Sequence, residues 1–99
     1  METLFLYPKF YVWKGKRMTR SGVLAELKTG QQAVVMELNL FDSMRRRLQD
    51  IGLIEGTVVE CLGKSPLGDP TAFLIRGAVI ALRSDETKRV IVRVSEREE

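Results

Sequence analysis

The sequence predicts a mainly β domain: a small closed barrel of about five short strands with one short inserted α-helix. Three observations carry this. The apolar runs are short, rich in β-branched residues and separated by clusters of Gly, Pro, Asp and Ser. A single later segment, Met44 to Ile51, repeats its apolar residues at the helical period. A domain of this size also buries only about 60% of its unfolded surface, so strand edges left open would be hard to cover.

The elements follow in order. Leu24 and Leu27 stand three apart before Gly30, which predicts a helical turn with Ser21 near its N-cap. Gln31 to Leu40 reads as a strand, with Glu37 and Asn39 on the face opposite Met36, Leu38 and Leu40. Asp42 and Ser43 offer caps for a helix from about Met44 to Asp50 or Ile51. Met44, Leu48 and Ile51 form its buried stripe, and Arg45, Arg46, Arg47 and Gln49 take the other faces. Arg46 and Asp50 are four apart, close enough to pair. Gly52 suits the left-handed position that ends a helix.

Glu55-Gly56 predicts a tight turn, and Thr57–Leu62 a strand with Val59 and Cys61 on one face. Gly63 to Pro70 is dense in turn residues and reads as a loop; Asp69, preceding Pro70, is extended and leads into the next strand at Thr71. Thr71–Ile75, Val79–Leu82 and Val90–Val94 are three more strands, with Arg76-Gly77 turning between the first two. Ser84–Thr87 reads as a capped helical turn, and the charged end from Ser95 as frayed. Together these elements suggest an SH3-like barrel with the helix plugging one end.

Composition narrows the function. Ninety-nine residues make one domain at most, and no apolar run approaches the roughly 18 residues that span a bilayer. The net charge of +3 is unevenly placed: residues 1–22 carry five bases against one acid, and the rest carry 11 bases against 12 acids. A near-neutral barrel argues against phosphate-driven nucleic-acid binding. There is no histidine and a single cysteine, Cys61, which removes the commonest metal ligand, the commonest general base and any intrachain disulfide. Cys61 alternates with apolar neighbours and reads as a small buried residue more than a reactive thiol. No phosphate loop, nucleophile–base pair or poised carboxylate pair is present, so no enzyme is expected. The carboxylates Glu60, Asp69, Asp85 and Glu86 show no metal-site spacing.

The expected organisation is an aromatic and basic extension over residues 1–22, a barrel over 23–94 and a charged tail over 95–99. The extension holds Phe5, Tyr7, Phe10, Tyr11 and Trp13 beside Lys14, Lys16 and Arg17. It lacks the order of a secretory signal. Two readings stay open: an arm that docks on a membrane face or partner, or a start ordered only by packing on the domain or a neighbouring chain.

A family likeness rests on these same residues. Leu24, Leu27 and Gly30 are followed by Arg47-Leu48 and Asp50-Ile51-Gly52-Leu53, then by Gly56-Thr57. Ser65-Pro66-Leu67-Gly68-Asp69-Pro70 and Ile80-Ala81-Leu82-Arg83 with Glu86 complete the order. The pattern resembles the FeoA family from about Val23 to Val94. Glu55 stands where the family often has proline and Thr87 where it usually has alanine; the extension lies outside the pattern. The resemblance implies an SH3-like β-barrel acting in the cytoplasm as a non-enzymatic accessory of ferrous iron uptake. It would work by contact with the cytosolic GTPase domain of a FeoB-type membrane transporter, with peripheral contact to the membrane through that partner. The same barrel occurs in iron- and manganese-dependent repressors. The alternative is therefore a metal-responsive regulatory domain binding ferrous or another divalent transition ion, with no ligand assigned in this chain.

Two features stand out as partner surfaces, each with a plainer reading beside it. The loop Ser65, Pro66, Leu67, Gly68, Asp69 and Pro70 is either a binding loop or a long turn set by its prolines and glycine. Arg45, Arg46 and Arg47 face either an acidic GTPase surface or only solvent. Gly30, Leu48, Gly52, Gly56, Leu82 and Arg83 are read as the structural frame.

Overall fold

The computed structural model describes residues 4–6 and 11–95 of the chain. In order, the elements are β1 (Leu4–Leu6), β2 (Tyr11–Trp13), β3 (Lys16–Val23), a 3-10 turn (Leu24–Glu26) and β4 (Gln32–Leu38). Then come α1 (Asp42–Asp50), β5 (Val58–Lys64), β6 (Thr71–Ile75), β7 (Ala78–Leu82), α2 (Ser84–Thr87) and β8 (Val90–Ser95). Tyr7, Phe10 and residues 96–99 lie outside the described residues.

All the strands join one antiparallel sheet in the order β1-β2-β3-β8-β4-β5-β6-β7. The mainly β class and the single longer helix are as expected; full closure is not. Among the described residues β7 pairs only with β6, so the sheet ends there as an open edge. Register shifts at Met18/Arg20, Val35/Glu37 and Cys61/Gly63 insert bulges in three strands. Bulges bend a strand and increase its local twist, and these three shifts are where that is expected here. The shift in β4 also explains its pattern: Ala33 and Val35 point to the core before it, Leu38 after it.

The core is one apolar cluster. Val59 and Cys61 of β5, Phe73 and Ile75 of β6, and Val90, Val92 and Val94 of β8 meet Leu24, Leu27, Leu40, Leu48 and Leu53. Val34 is also fully buried yet stands outside this cluster, so the second face of the sheet is covered there as well.

Four expectations need correction. Ser21 caps no helix: β3 runs on to Val23, paired with β8 through Gly22↔Val92, and the helical turn begins at Leu24. Its cap is Glu26, whose Oε1 accepts the Val23 N–H at 3.3 Å. Strand β5 reaches Lys64, since the bulge lets Gly63 and Lys64 pair with Ala72 and Thr71; the loop is only Ser65–Pro70. Neither Asp42 nor Ser43 caps α1, which starts at Asp42 behind an extended Phe41. Met44 is 41% exposed, because the first turn of α1 lies beyond the edge of the core and only Leu48 of the helix is fully buried.

The hairpin turns are local chemistry. Lys14-Gly15 and Arg76-Gly77 each place two successive residues at positive φ between two-residue-linked strands. That is the type I′ geometry whose twist matches flanking strands. The first of these turns links β2 to β3, so β2 and nearly all of β3, which lie within residues 1–22, belong to the same sheet.

Candidate functional site

The C-terminal end of α1 is built by its sequence. Gly52 adopts φ 107°, its N–H donates to the Gln49 carbonyl at 3.0 Å, and the Leu53 N–H donates to that of Leu48, also at 3.0 Å. This is the Schellman arrangement, in which a glycine ends the helix and apolar side chains on either side of it meet. Leu48 and Leu53 are both fully buried and supply that contact. Gly56 at φ 90° with Thr57 N–H donating to Ile54 O at 3.0 Å then makes a type II turn, reversing the chain into β5.

Helix α1 is thereby held with its basic face outward. Arg45, Arg46 and Arg47 are all exposed. Their side chains do not share one fate. Arg47 Nη2 forms an ion pair with Glu86 Oε2 of α2. Glu86 is nearly buried, and its other oxygen accepts the Arg83 N–H at 3.3 Å, capping α2. Arg45 and Arg46 have no ion-pair partner among the described residues, and Arg46 does not reach Asp50.

The Ser65–Pro70 loop is closed at its base by Ser65 N–H donating to Pro70 O at 3.0 Å. Gly68 N–H donates to Ser65 O at 2.8 Å, which makes Pro66-Leu67 the centre of a β-turn. Asp69 turns back instead of outward: its Oδ1 accepts the Ser84 N–H at 2.9 Å, and the Ser84 hydroxyl donates to Oδ2 at 3.4 Å. Leu67 is left at the tip, 94% exposed, while Ser65, Asp69 and Pro70 are half-buried.

Helix α2 therefore joins the two features read as separate in the sequence. Ser84 holds the loop and Glu86 holds α1, two residues apart. Arg45, Arg46, Pro66 and Leu67 are left exposed on the two joined features, whereas Arg47 and Asp69 hold the arrangement. Of the residues read as the frame, Leu48 and Leu82 are buried, Gly30 takes φ 87° with its N–H donating to Cys61 O at 2.7 Å, and Arg83 is the N-cap before α2. Thr87 is buried with its hydroxyl on Ser84 O at 3.5 Å.

A cavity of ≈ 170 Å³ lies elsewhere, lined in part by Arg20, Ser21, Glu26, Lys28 and Gln31. Glu26 and the Gln31 side-chain amide oxygen Oε1, which accepts the Lys28 N–H at 3.0 Å, serve there as caps for the backbone. Among the described residues no three His, Cys, Asp or Glu side chains come together as a metal site. Cys61 is buried, and burial pushes its thiol above the ordinary value. No helix among the described residues is long and apolar enough to cross a membrane.

The sequence over residues 23–94 matches the family model for the FeoA domain. A curated relative from Porphyromonas gingivalis, a fusion of Fe(2+) transport protein A with the Fe(2+) transporter FeoB, is 32% identical over 74 residues. The match covers 72% of this chain and only 8% of that protein. The fold is similar to the FeoA protein of Chlorobium tepidum, with a TM-score of 0.71 and 34% identity over 78% of this chain and 73% of the other. It is likewise similar to Stenotrophomonas maltophilia FeoA, described as a prokaryotic SH3 domain protein and solved with zinc. There the TM-score is 0.66 with 34% identity, covering 78% of this chain and 98% of that one.

Proposed function

This chain belongs to the FeoA family, and from that premise we propose that it is a non-enzymatic cytoplasmic accessory of ferrous iron uptake that works by binding a FeoB-type transporter. One observation carries the proposal: in the Porphyromonas gingivalis relative, the segment similar to this chain lies in the same polypeptide as the transporter. Covalent fusion places the two at high effective concentration, which is useful where two domains act together. The contact surface is the one gathered around α2. Arg45 and Arg46 supply unpaired positive charge, and Leu67 supplies an exposed apolar side chain on a loop closed at its base.

Charge of that kind sets encounter rate and orientation, and an apolar tip gives the desolvated centre of an interface. The test is capture of the transporter, both as its cytosolic domain and as full-length protein in membrane. Wild-type capture with loss of at least about tenfold in affinity for Arg45→Glu/Arg46→Glu and for Leu67→Glu is the expected result. Undiminished capture by both variants overturns the surface, and no capture of either transporter form by the wild type overturns the function.

A further inference from the structure

Among the described residues the sheet ends at β7 as an open edge. Strand β7 reads Ala78-Val79-Ile80-Ala81-Leu82 and has β6 on one side and no strand on the other among the described residues. Alternate backbone N–H and C=O groups of such an edge point away from the sheet and lack ladder partners. Proteins blunt exposed edges with lysine, proline or a bulge; β7 has none of these, and its register with β6 is unbroken from Ala78 to Leu82. Ala78, Val79 and Ala81 are exposed, Val79 at 66%.

Charge selects the occupant. The strand is bracketed by Arg76 and Arg83, both exposed and without an ion-pair partner among the described residues. The stem of Arg76 is seated against Gly52: a Cβ there would lie 2.6 Å from Arg76 Cδ. A second copy fits poorly. An antiparallel β7 pair centred on Ile80 sets Arg83 of one copy opposite Gly77 of the other, next to its Arg76, at both ends. We propose that β7 is a docking edge that adds an extended partner segment as a further strand, apolar in its middle and carrying carboxylates at both ends to meet Arg76 and Arg83. Main-chain hydrogen bonds then supply affinity and the flanking charges supply selectivity.

This edge meets α2 at Arg83 but shares no residue with Arg45, Arg46, Pro66 and Leu67, and its test uses no transporter, so the two proposals fail separately. The probe is the synthetic peptide Asp-Glu-Val-Thr-Val-Thr-Val-Glu-Asp, with a control in which lysines replace the four acidic residues. Isotope-labelled protein is titrated at low salt while amide shifts and hydrogen exchange are followed. The expected result is slowed exchange confined to alternate β7 amides and about a tenfold preference for the acidic peptide, reversed in Arg76→Glu/Arg83→Glu. Arg83→Glu alone, which leaves the seated Arg76 in place, is expected to weaken acidic-peptide binding by about threefold or more. Equal affinity for both peptides, shifts centred on α1 or the loop, or no binding at millimolar peptide overturns the proposal. So does a concentration-dependent dimer with β7 amides already protected, which would make a second copy the occupant.

Discussion

Arg47 of α1 closes on Glu86 of α2, joining residues 39 positions apart, and Glu86 at the same time accepts the Arg83 N–H that begins α2. One nearly buried carboxylate thus holds a helix face and caps a second helix. The neighbouring arginines have no such task. Three consecutive residues of one type in α1 therefore divide into one that holds the fold and two that face outward.

That division is measurable as stability. Losing a hydrogen-bonded partner of a buried charged group costs about 1.5–3 kcal/mol, whereas an exposed unpaired side chain is worth within about 0.5 kcal/mol. Arg47→Ala is expected to lower the melting temperature by several degrees, while Arg45→Ala and Arg46→Ala leave it within about 2 °C of wild type. Equal, small effects for all three in thermal unfolding would contradict the assignment.

Asp69 and Leu67 separate in the same way within the loop. Asp69 accepts two hydrogen bonds from Ser84, and Asp69→Ala is expected to cost about 1–2 kcal/mol and to speed hydrogen exchange at Ser84. Asp69→Asn, which retains an oxygen acceptor, should lose less. Leu67→Ser, at a side chain 94% exposed, should leave unfolding unchanged. A Leu67→Ser protein as unstable as Asp69→Ala would mean that the tip packs on something.

Local chemistry was legible in the sequence and long-range pairing was not. The turns at Arg76-Gly77 and Glu55-Gly56 and the helix stop at Gly52 rest on backbone conformations that few residues adopt, so single letters identify them. Ser21 misled because its capping tendency is a local preference; pairing of β3 with β8 outweighs it. Met44 kept the helical period, yet period alone does not say where the core stops. The division among the three arginines depends on Glu86, far along the chain, and the order Arg45-Arg46-Arg47 carries no trace of it. The open β7 edge has the same origin, since strand letters show each strand's pattern and leave the neighbours of each unspecified.

The type II turn at Ile54–Thr57 makes Glu55 a place where proline should help. Gly56 holds the positive-φ corner, Glu55 takes the preceding one, and among the described residues its N–H donates to no backbone carbonyl. Proline suits that corner and restricts the unfolded chain, a gain of about 0.4–1 kcal/mol where the native backbone accepts it. Glu55→Pro should raise the urea midpoint without changing the slope of the transition. A lower midpoint would show that the Glu55 N–H or backbone angle matters to the fold.

Gly52 is constrained twice, by φ 107° and by Arg76 Cδ 2.6 Å from where a Cβ would stand. A residue other than glycine in such a backbone region costs about 1–3 kcal/mol. Gly52→Ala should therefore destabilise by that much plus the displacement of the Arg76 stem. Adding Arg76→Ala removes the clash and leaves the backbone strain, so the double variant should recover only part of the loss. Full recovery in denaturant unfolding would assign the whole effect to the arginine.

Cys61 gives a dependence on pH. Its thiol is buried among the core residues of β5, and burial, ahead of the opposing backbone contact at Gly63 and the charge of Lys64, raises it above its ordinary 9.0. A group whose folded value lies above its unfolded one stabilises the fold fully below the unfolded value. That contribution is lost as pH rises through the folded value. Stability attributable to Cys61 should be flat through neutral pH and should fall above about pH 9, and Cys61→Ala should remove that alkaline fall. The same burial predicts that an aromatic disulfide reagent labels the native protein at pH 8 only as fast as the chain opens, with labelling accelerated by sub-denaturing urea. Immediate stoichiometric labelling of the folded protein would place the thiol at the surface and sink both expectations.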